Sequence, residues 1–144
     1  MASTHFSGPI KAGPIREGDD TNVGFAVMAQ TKVIDIAGAD ATTTIGTVPA
    51  GSKILYVVLN VTTANDDGTA STVVIGISGD TNAFLSSTSV QSAGVTFSDT
   101  MAATSHDVGT SDVDVIATFA ATDEDGTAGV ADATVVYLQN TDLL

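Results

Sequence analysis

Lys53-Ile54-Leu55-Tyr56-Val57-Val58-Leu59-Asn60-Val61-Thr62-Thr63 is the stretch whose reading decides the fold class. It is rich in β-branched and aromatic residues and has neither Gly nor Pro, which favours an extended pleated chain. Successive side chains of a strand point to opposite sides, so Leu55, Val57, Leu59 and Val61 share one face, and Ile54, Tyr56 and Val58 share the other. Both faces are apolar. A strand of this kind is covered on both sides, and in a two-layer body the second cover comes from a neighbouring subunit. Ile54, Tyr56 and Val58 are therefore the candidate subunit interface.

Outward from this strand, short apolar runs alternate with turn residues. Upstream, Val23–Gln30 and Thr31–Ala37 read as a strand pair or as one long bent strand. Thr42–Val48 follows and is closed by Pro49-Ala50-Gly51-Ser52, a Pro-then-Gly turn signature. Downstream, Asn65-Asp66-Asp67-Gly68-Thr69 carries Asp-Gly and predicts a hairpin. Ser71–Ser78 alternates, with Val73, Ile75 and Ile77 on one face, and Gly79–Leu85 reads as another turn. Ser86–Gln91 fits a helical turn or a strand equally. Val95–Ala103 is a weak strand, and Ser111–Ala121 alternates with Val113, Val115, Ala117 and Phe119 inward. Thr122–Gly129 is an acidic loop before the final strand, Val130–Gln139. Eight or nine short strands at even spacing, with no helical period, predict an all-β, jelly-roll-like β-sandwich over residues 23–144. Strand order along the chain does not separate this from an up-and-down barrel or an immunoglobulin-like sandwich.

Residues 1–22 behave differently. Gly8-Pro9-Ile10-Lys11-Ala12 is echoed by Gly13-Pro14-Ile15-Arg16-Glu17. Proline fixes φ, removes a donor and pushes the residue before it to extended geometry, so helix and central strand are both disfavoured. The segment reads as an extended N-terminal arm with an apolar anchor and a cation in each unit, with a disordered leader as the alternative. Pro9, Ile10, Lys11, Pro14, Ile15 and Arg16 are its candidate partner-binding residues.

Charge narrows the function classes. The net charge is −13 in 144 residues. Lys11, Arg16 and Lys32 balance Glu17, Asp19 and Asp20, so the excess lies entirely in the body beyond residue 32. Such a surface repels phosphates and anionic lipid, which argues against nucleic-acid and membrane partners. Disorder is excluded by 43% hydrophobic residues, although aromatics contribute only 5%. No cysteine is present, so sulfur redox chemistry and thiolate metal sites are ruled out. The opening residues lack a basic n-region followed by an apolar run, which predicts synthesis in a cytoplasm without a cleaved signal.

The chemistry-bearing residues point to no catalytic, cofactor-binding or metal site. His106, in Thr104-Ser105-His106-Asp107, is one of two histidines and has no nucleophile placed beside it by any recognisable motif. The acids cluster in Gly- and Thr-containing turns, and Trp is absent, so the aromatic platforms of a glycosidase are missing. Asp123-Glu124-Asp125-Gly126 resembles the opening of a calcium loop. It lacks the alternating oxygen ligands and the closing Glu of an EF-hand, so it reads as a solvated Asp-Gly turn.

At the level of the whole chain, several stretches occur in a telling order. A Ser7-Gly8-Pro9 leader precedes a Thr-rich body. Gly76-Ile77-Ser78-Gly79-Asp80-Thr81-Asn82-Ala83-Phe84-Leu85 leads into Ser92-Ala93-Gly94, and the last strand contains Ala133-Thr134-Val135-Val136-Tyr137. This is similar to the small decoration (head-stabilisation or cement) proteins of tailed phages. The resemblance covers nearly the whole chain, rests on loose motifs and transfers no functional residue. It implies a β-sandwich homotrimer on the outer surface of a virion, with the major capsid protein as partner and no cofactor. A receptor- or glycan-binding module of a tail fibre or a bacterial surface adhesin is the alternative, and the missing aromatic loops weigh against it.

Overall fold

The computed structural model describes residues 15–17, 20–22, 26–98, 107–123 and 125–139, and for 15–17 and 20–22 the backbone only. Ten strands and no helix occur among the described residues. They are β1 (Ile15–Glu17), β2 (Asp20–Asn22), β3 (Ala26–Asp35), β4 (Ala41–Val48), β5 (Lys53–Thr63), β6 (Ser71–Ile77), β7 (Asp80–Ser89), β8 (Gly94–Phe97), β9 (Val113–Ala121) and β10 (Val130–Gln139). β1 and β2 form a small antiparallel sheet of their own, and the other eight make two four-stranded sheets.

The sheet orders are β3-β10-β5-β8 and β4-β9-β6-β7. Every ladder is antiparallel. β3 pairs with β10, β4 with β9, β5 with β8 and β6 with β7, so the chain is one long nested hairpin. Rolling that hairpin until β10 also meets β5, and β9 meets β6, generates the jelly roll. All-β architecture and the β-sandwich agree with the sequence reading, and the strand order now separates the jelly roll from its alternatives.

The core fills the space between the two sheets. Ile54, Val57, Leu59 and Val61 from β5 meet Val73, Ile75, Phe84 and Leu85 from β6 and β7, with Val115, Ala117, Phe119 and Val135 completing it. These residues recur at alternate positions on β6, β9 and β10, as a half-buried strand requires. The sequence-based boundaries of the central strand (53–63) and the last strand (130–139) match the observed ones.

Residues 26–35 form the one long strand, which resolves the open alternative there. Three local expectations change. Gly79–Leu85 is not a turn: the hairpin is the two-residue Ser78-Gly79, and β7 runs from Asp80 through Ser89, which also assigns residues 86–89 to a strand. Gly79 has φ +95, open to glycine at little steric cost, and nearby Gly76 leaves room for backbone, since a Cβ there would lie 2.2 Å from the Asp80 carbonyl oxygen. Asn65–Thr69 is not a hairpin, because β5 and β6 lie in different sheets and the segment crosses between them. The strand read as Val95–Ala103 is described as Gly94–Phe97, and residues 99–106 lie outside the described residues.

The nested topology gathers the loops at two ends. One end holds the β3–β4, β5–β6, β7–β8 and β9–β10 connections. They are tied by backbone hydrogen bonds from Ile36 N to Gly129 O (3.2 Å), Asn65 N to Val90 O (2.9 Å) and Asp66 N to Ala128 O (3.3 Å). At the other end Gly51 N donates to Gly109 O (2.7 Å) and Val108 N to Ser52 O (3.0 Å).

Candidate functional site

The outer face of the β3-β10-β5-β8 sheet is the most distinctive surface among the described residues. Directly opposed residues of an antiparallel pair put their side chains on one face. The register sets Val136 opposite both Ala29 and Tyr56, Thr134 opposite both Thr31 and Val58, and Val58 opposite Phe97. The Thr31 and Thr134 hydroxyls are 2.9 Å apart on this face. Tyr56 and Phe97 contact across it, and Val27, Val33, Val95 and Phe97 are each more than half exposed. This clustering of exposed apolar side chains on one sheet face makes it the candidate contact surface. The outer face of the second sheet differs in kind. There the Thr42 and Thr118 hydroxyls meet at 3.2 Å, and the Thr47 hydroxyl donates to Asp114 at 2.6 Å.

Within β5 the two faces are not those that strict alternation assigns. The β5–β10 ladder slips by one residue between Val136 and Tyr137, so Val136 opposes Tyr56 while Tyr137 opposes Ile54. This bulge lets Leu55 and Tyr56 both point outward, because the extra residue reverses the parity of the strand. Ile54 is therefore a core residue, 1% exposed, and leaves the candidate interface. Tyr56 and Val58 remain on the outer face, and Leu55 takes the place of Ile54. Val95 and Phe97 belong with them and were missed. Their alternation in Val95-Thr96-Phe97 was the available signal, but a short run does not say which side faces out.

Of the arm residues, Ile15 and Arg16 lie in β1, where their backbones pair with Asn22 and Thr21. Pro9, Ile10, Lys11 and Pro14 lie outside the described residues, as does His106. Asp107, beside that histidine in sequence, makes an isolated bridge to Lys53 and an ion pair with it at 2.7 Å.

The acidic loops are organised by hydrogen bonds. Asp66 accepts from Thr127 N (2.7 Å), Ala128 N (2.8 Å) and the Thr127 hydroxyl (3.0 Å), which binds the β9–β10 loop to the β5–β6 loop. These donors, the Ala128 N–H foremost, hold its carboxyl below the ordinary carboxylate range. Buried Asn65 donates to Ile36 O (2.6 Å) and accepts from Asp67 N (2.9 Å) and the Ser71 hydroxyl (2.6 Å). Gln91 donates to the Asp67 and Thr69 carbonyl oxygens. No group of three or more His, Asp or Glu side chains is placed to grip a metal among the described residues. Beyond these loops, an open groove of about 440 Å³ lies beside β3, lined by Val33, Ile34, Ala37 and Val130 with Asp35 at its edge.

The rolled hairpin covers the body from Ala26 to Gln139, and solved structures share it. A chain in the acidic stable capsid structure of Helicobacter pylori bacteriophage KHP30 superposes with a TM-score of 0.63 at 14% identity, over 85% of this chain and 95% of that one. A chain of the cyanophage Pam1 capsid asymmetric unit gives 0.58 at 18% identity, over 96% and 99%. A chain of the capsid of Ralstonia phage GP4 gives 0.59 at 20% identity, over 93% and 93%. The shared property is the fold. No protein-family model and no curated protein matches the chain.

Proposed function

We propose that the protein is a structural component of a phage virion that decorates and stabilises the outer surface of the capsid. One observation carries this reading: a jelly roll that runs nearly end to end along chains found in three phage capsids, with 85–96% of this chain covered. A match over whole chains fits a free-standing capsid subunit better than a module embedded in a longer fibre. The face formed by Leu55, Tyr56, Val58, Val95 and Phe97 closes a homotrimer. The arm, with Pro9, Ile10, Lys11, Pro14, Ile15 and Arg16, reaches the major capsid protein, adding backbone hydrogen bonds at a sheet edge and burying its isoleucines. The acidic, Thr-bearing second sheet faces solvent and keeps many copies soluble before assembly. No nucleic acid or membrane enters this scheme.

Imaging of heads assembled with and without the protein tests it. The expected result is extra density on the outside of the shell at symmetry-related positions, and heads that resist heat or chelation better. Density confined to a tail fibre, or none on the shell, overturns the reading and favours a receptor-binding role.

A further inference from the structure

The outer face of the first sheet is apolar at its two edges and polar between them. One rung of the ladder runs Val95, Asn60, Asp132, Val33 across β8, β5, β10 and β3, and the next outward-facing rung runs Phe97, Val58, Thr134, Thr31. Val95 and Val33, at the ends of the first rung, are 57% and 62% exposed. Asn60 and the Asp132 carboxylate stand between them, and the Thr134 hydroxyl beside them is bonded to Thr31. The two edges also differ in shape. At β8, Phe97 stands out against Tyr56, whereas β3 borders the groove of about 440 Å³ lined by Val33, Ile34, Ala37 and Val130.

Two unlike apolar edges on one chain suit a second copy, because each chain then supplies both halves of a head-to-tail contact. Charge restricts where copies can meet. At a net charge of −13, they repel over most of their surface. β8 carries no charged residue, and β3 from Ala26 to Asp35 balances Lys32 against Asp35, so these two edges meet without net repulsion. The Asp35 carboxylate at the groove already accepts from Ala37 N at 3.0 Å. Two other modes of contact are disfavoured. Lys32 opposes buried Ala133 and so lies on the inner side of an edge strand, a placement that blocks extension of the sheet by a further strand. Stacking two outer faces squarely would bury Asp132 of each copy, and the lysines cannot offset it, since Lys32 is turned away and Lys53 is held by Asp107.

We infer that the proposed trimer closes head to tail, with Val95 and Phe97 of one copy packed on the β3 edge of the next and Val95 seated in the groove beside Val33. This rests on the assembly proposed above and supplies the opposite half of its contact. The rungs fit such a closure. Rotation about an axis along the strands keeps every residue at its own height, and Val95 and Val33 share one rung. Asn60, Asp132 and Thr134 then face the space around the axis and stay hydrated.

The chain has no cysteine, so introduced thiols report contacts cleanly. Full-length Val33→Cys/Val95→Cys is treated with a short thiol cross-linker and run on a denaturing gel. A closed head-to-tail ring links each copy on both sides, and covalent trimer is the expected product. Mixing the two single variants should give covalent dimer only, and either single variant alone should give none. Thr31→Cys/Phe97→Cys, on the neighbouring rung, should repeat the result, while Thr42→Cys/Val95→Cys, with one thiol on the second sheet, should not link. Val33→Asp, remote from Tyr56 and Phe97, should weaken assembly by about tenfold or more while leaving the circular dichroism unchanged. A doubly linked covalent dimer, or dimer from one single variant, overturns the head-to-tail contact in favour of a two-fold one. An assembled protein in which neither pair links overturns it too, and leaves the trimer itself standing. Sedimentation of the unmodified protein as a monomer removes both.

Discussion

Tyr56 and Phe97 meet on the outer face of the first sheet, their ring centroids 6.3 Å apart and their planes inclined by 54°. Tilted aromatic pairs at this separation contribute about 0.5–1.5 kcal/mol beyond the area they bury. Yet Phe97 is 61% exposed and Tyr56 39% exposed, so much of their apolar surface is left for a partner. Phe97→Asp or Tyr56→Asp should prevent formation of the proposed trimer and leave a folded subunit. Sedimentation with circular dichroism distinguishes the two effects. A stable monomer of the unmodified protein at high micromolar concentration would remove this face from assembly.

Ile54→Asp should behave in the opposite way. Its side chain lies in the core on the inner side of the β5 bulge, so a carboxylate there is buried without a partner. A loss of about 4 kcal/mol or more is expected, enough to unfold a marginal domain. Leu55→Asp, one residue away, should be tolerated by the subunit. Urea titrations of the two variants check the assignment of faces, and equal destabilisation would contradict the bulge.

Asn65 ties three segments together, through Ile36 O, Asp67 N and the Ser71 hydroxyl. Asn65→Ala leaves these groups without partners in a buried site. The expected loss is about 2–4 kcal/mol, measurable by urea denaturation. Thr31→Ala, which breaks an exposed hydroxyl pair with Thr134, should change stability little.

Stability should fall on the acid side. Asp66 and Asp67 both titrate below the ordinary carboxylate value, chiefly through the Ala128 and Thr69 amides respectively. A carboxyl whose folded-state value is depressed stabilises the fold fully above its unfolded value, near 3.8. That contribution is lost as pH drops through the lower folded-state value. Thermal midpoints in chelator should therefore decline below about pH 5, and Asp66→Asn should flatten part of that decline. An unchanged slope in Asp66→Asn would show that its bonds to Thr127 and Ala128 do not form in solution.

Deleting residues 1–22 should spare the sandwich, because β1 and β2 form a sheet separate from it. Attachment to undecorated heads should drop sharply. Lys11 and Arg16, if they pair at an exposed surface, contribute about 0.2–1 kcal/mol each, so salt should weaken binding of the full chain only mildly. Occupancy measured for both forms at several salt concentrations checks this. Equal occupancy would move the binding surface to the body.

Local pattern was enough for the strand class, for the limits of β5 and β10 and for the inward residues of β9, because pleat alternation is imposed by each strand's own neighbours. Where neighbours are all apolar, as at Ile54-Leu55-Tyr56, alternation has no polar member to mark the outside. Only the slipped ladder against β10 decided that Ile54 turns in and Leu55 out. Asp80-Thr81-Asn82 looks like a turn by composition, yet pairing of β7 with β6 holds it extended. Asp66-Asp67-Gly68 looks like a hairpin, yet the nested pairing sends its flanking strands to different sheets. The jelly-roll order, the aromatic contact between Tyr56 and Phe97, and the bonds from Thr127 and Ala128 to Asp66 join residues far apart in the chain. Such contacts are set by how the sheets roll over a shared core, which no local stretch of sequence records.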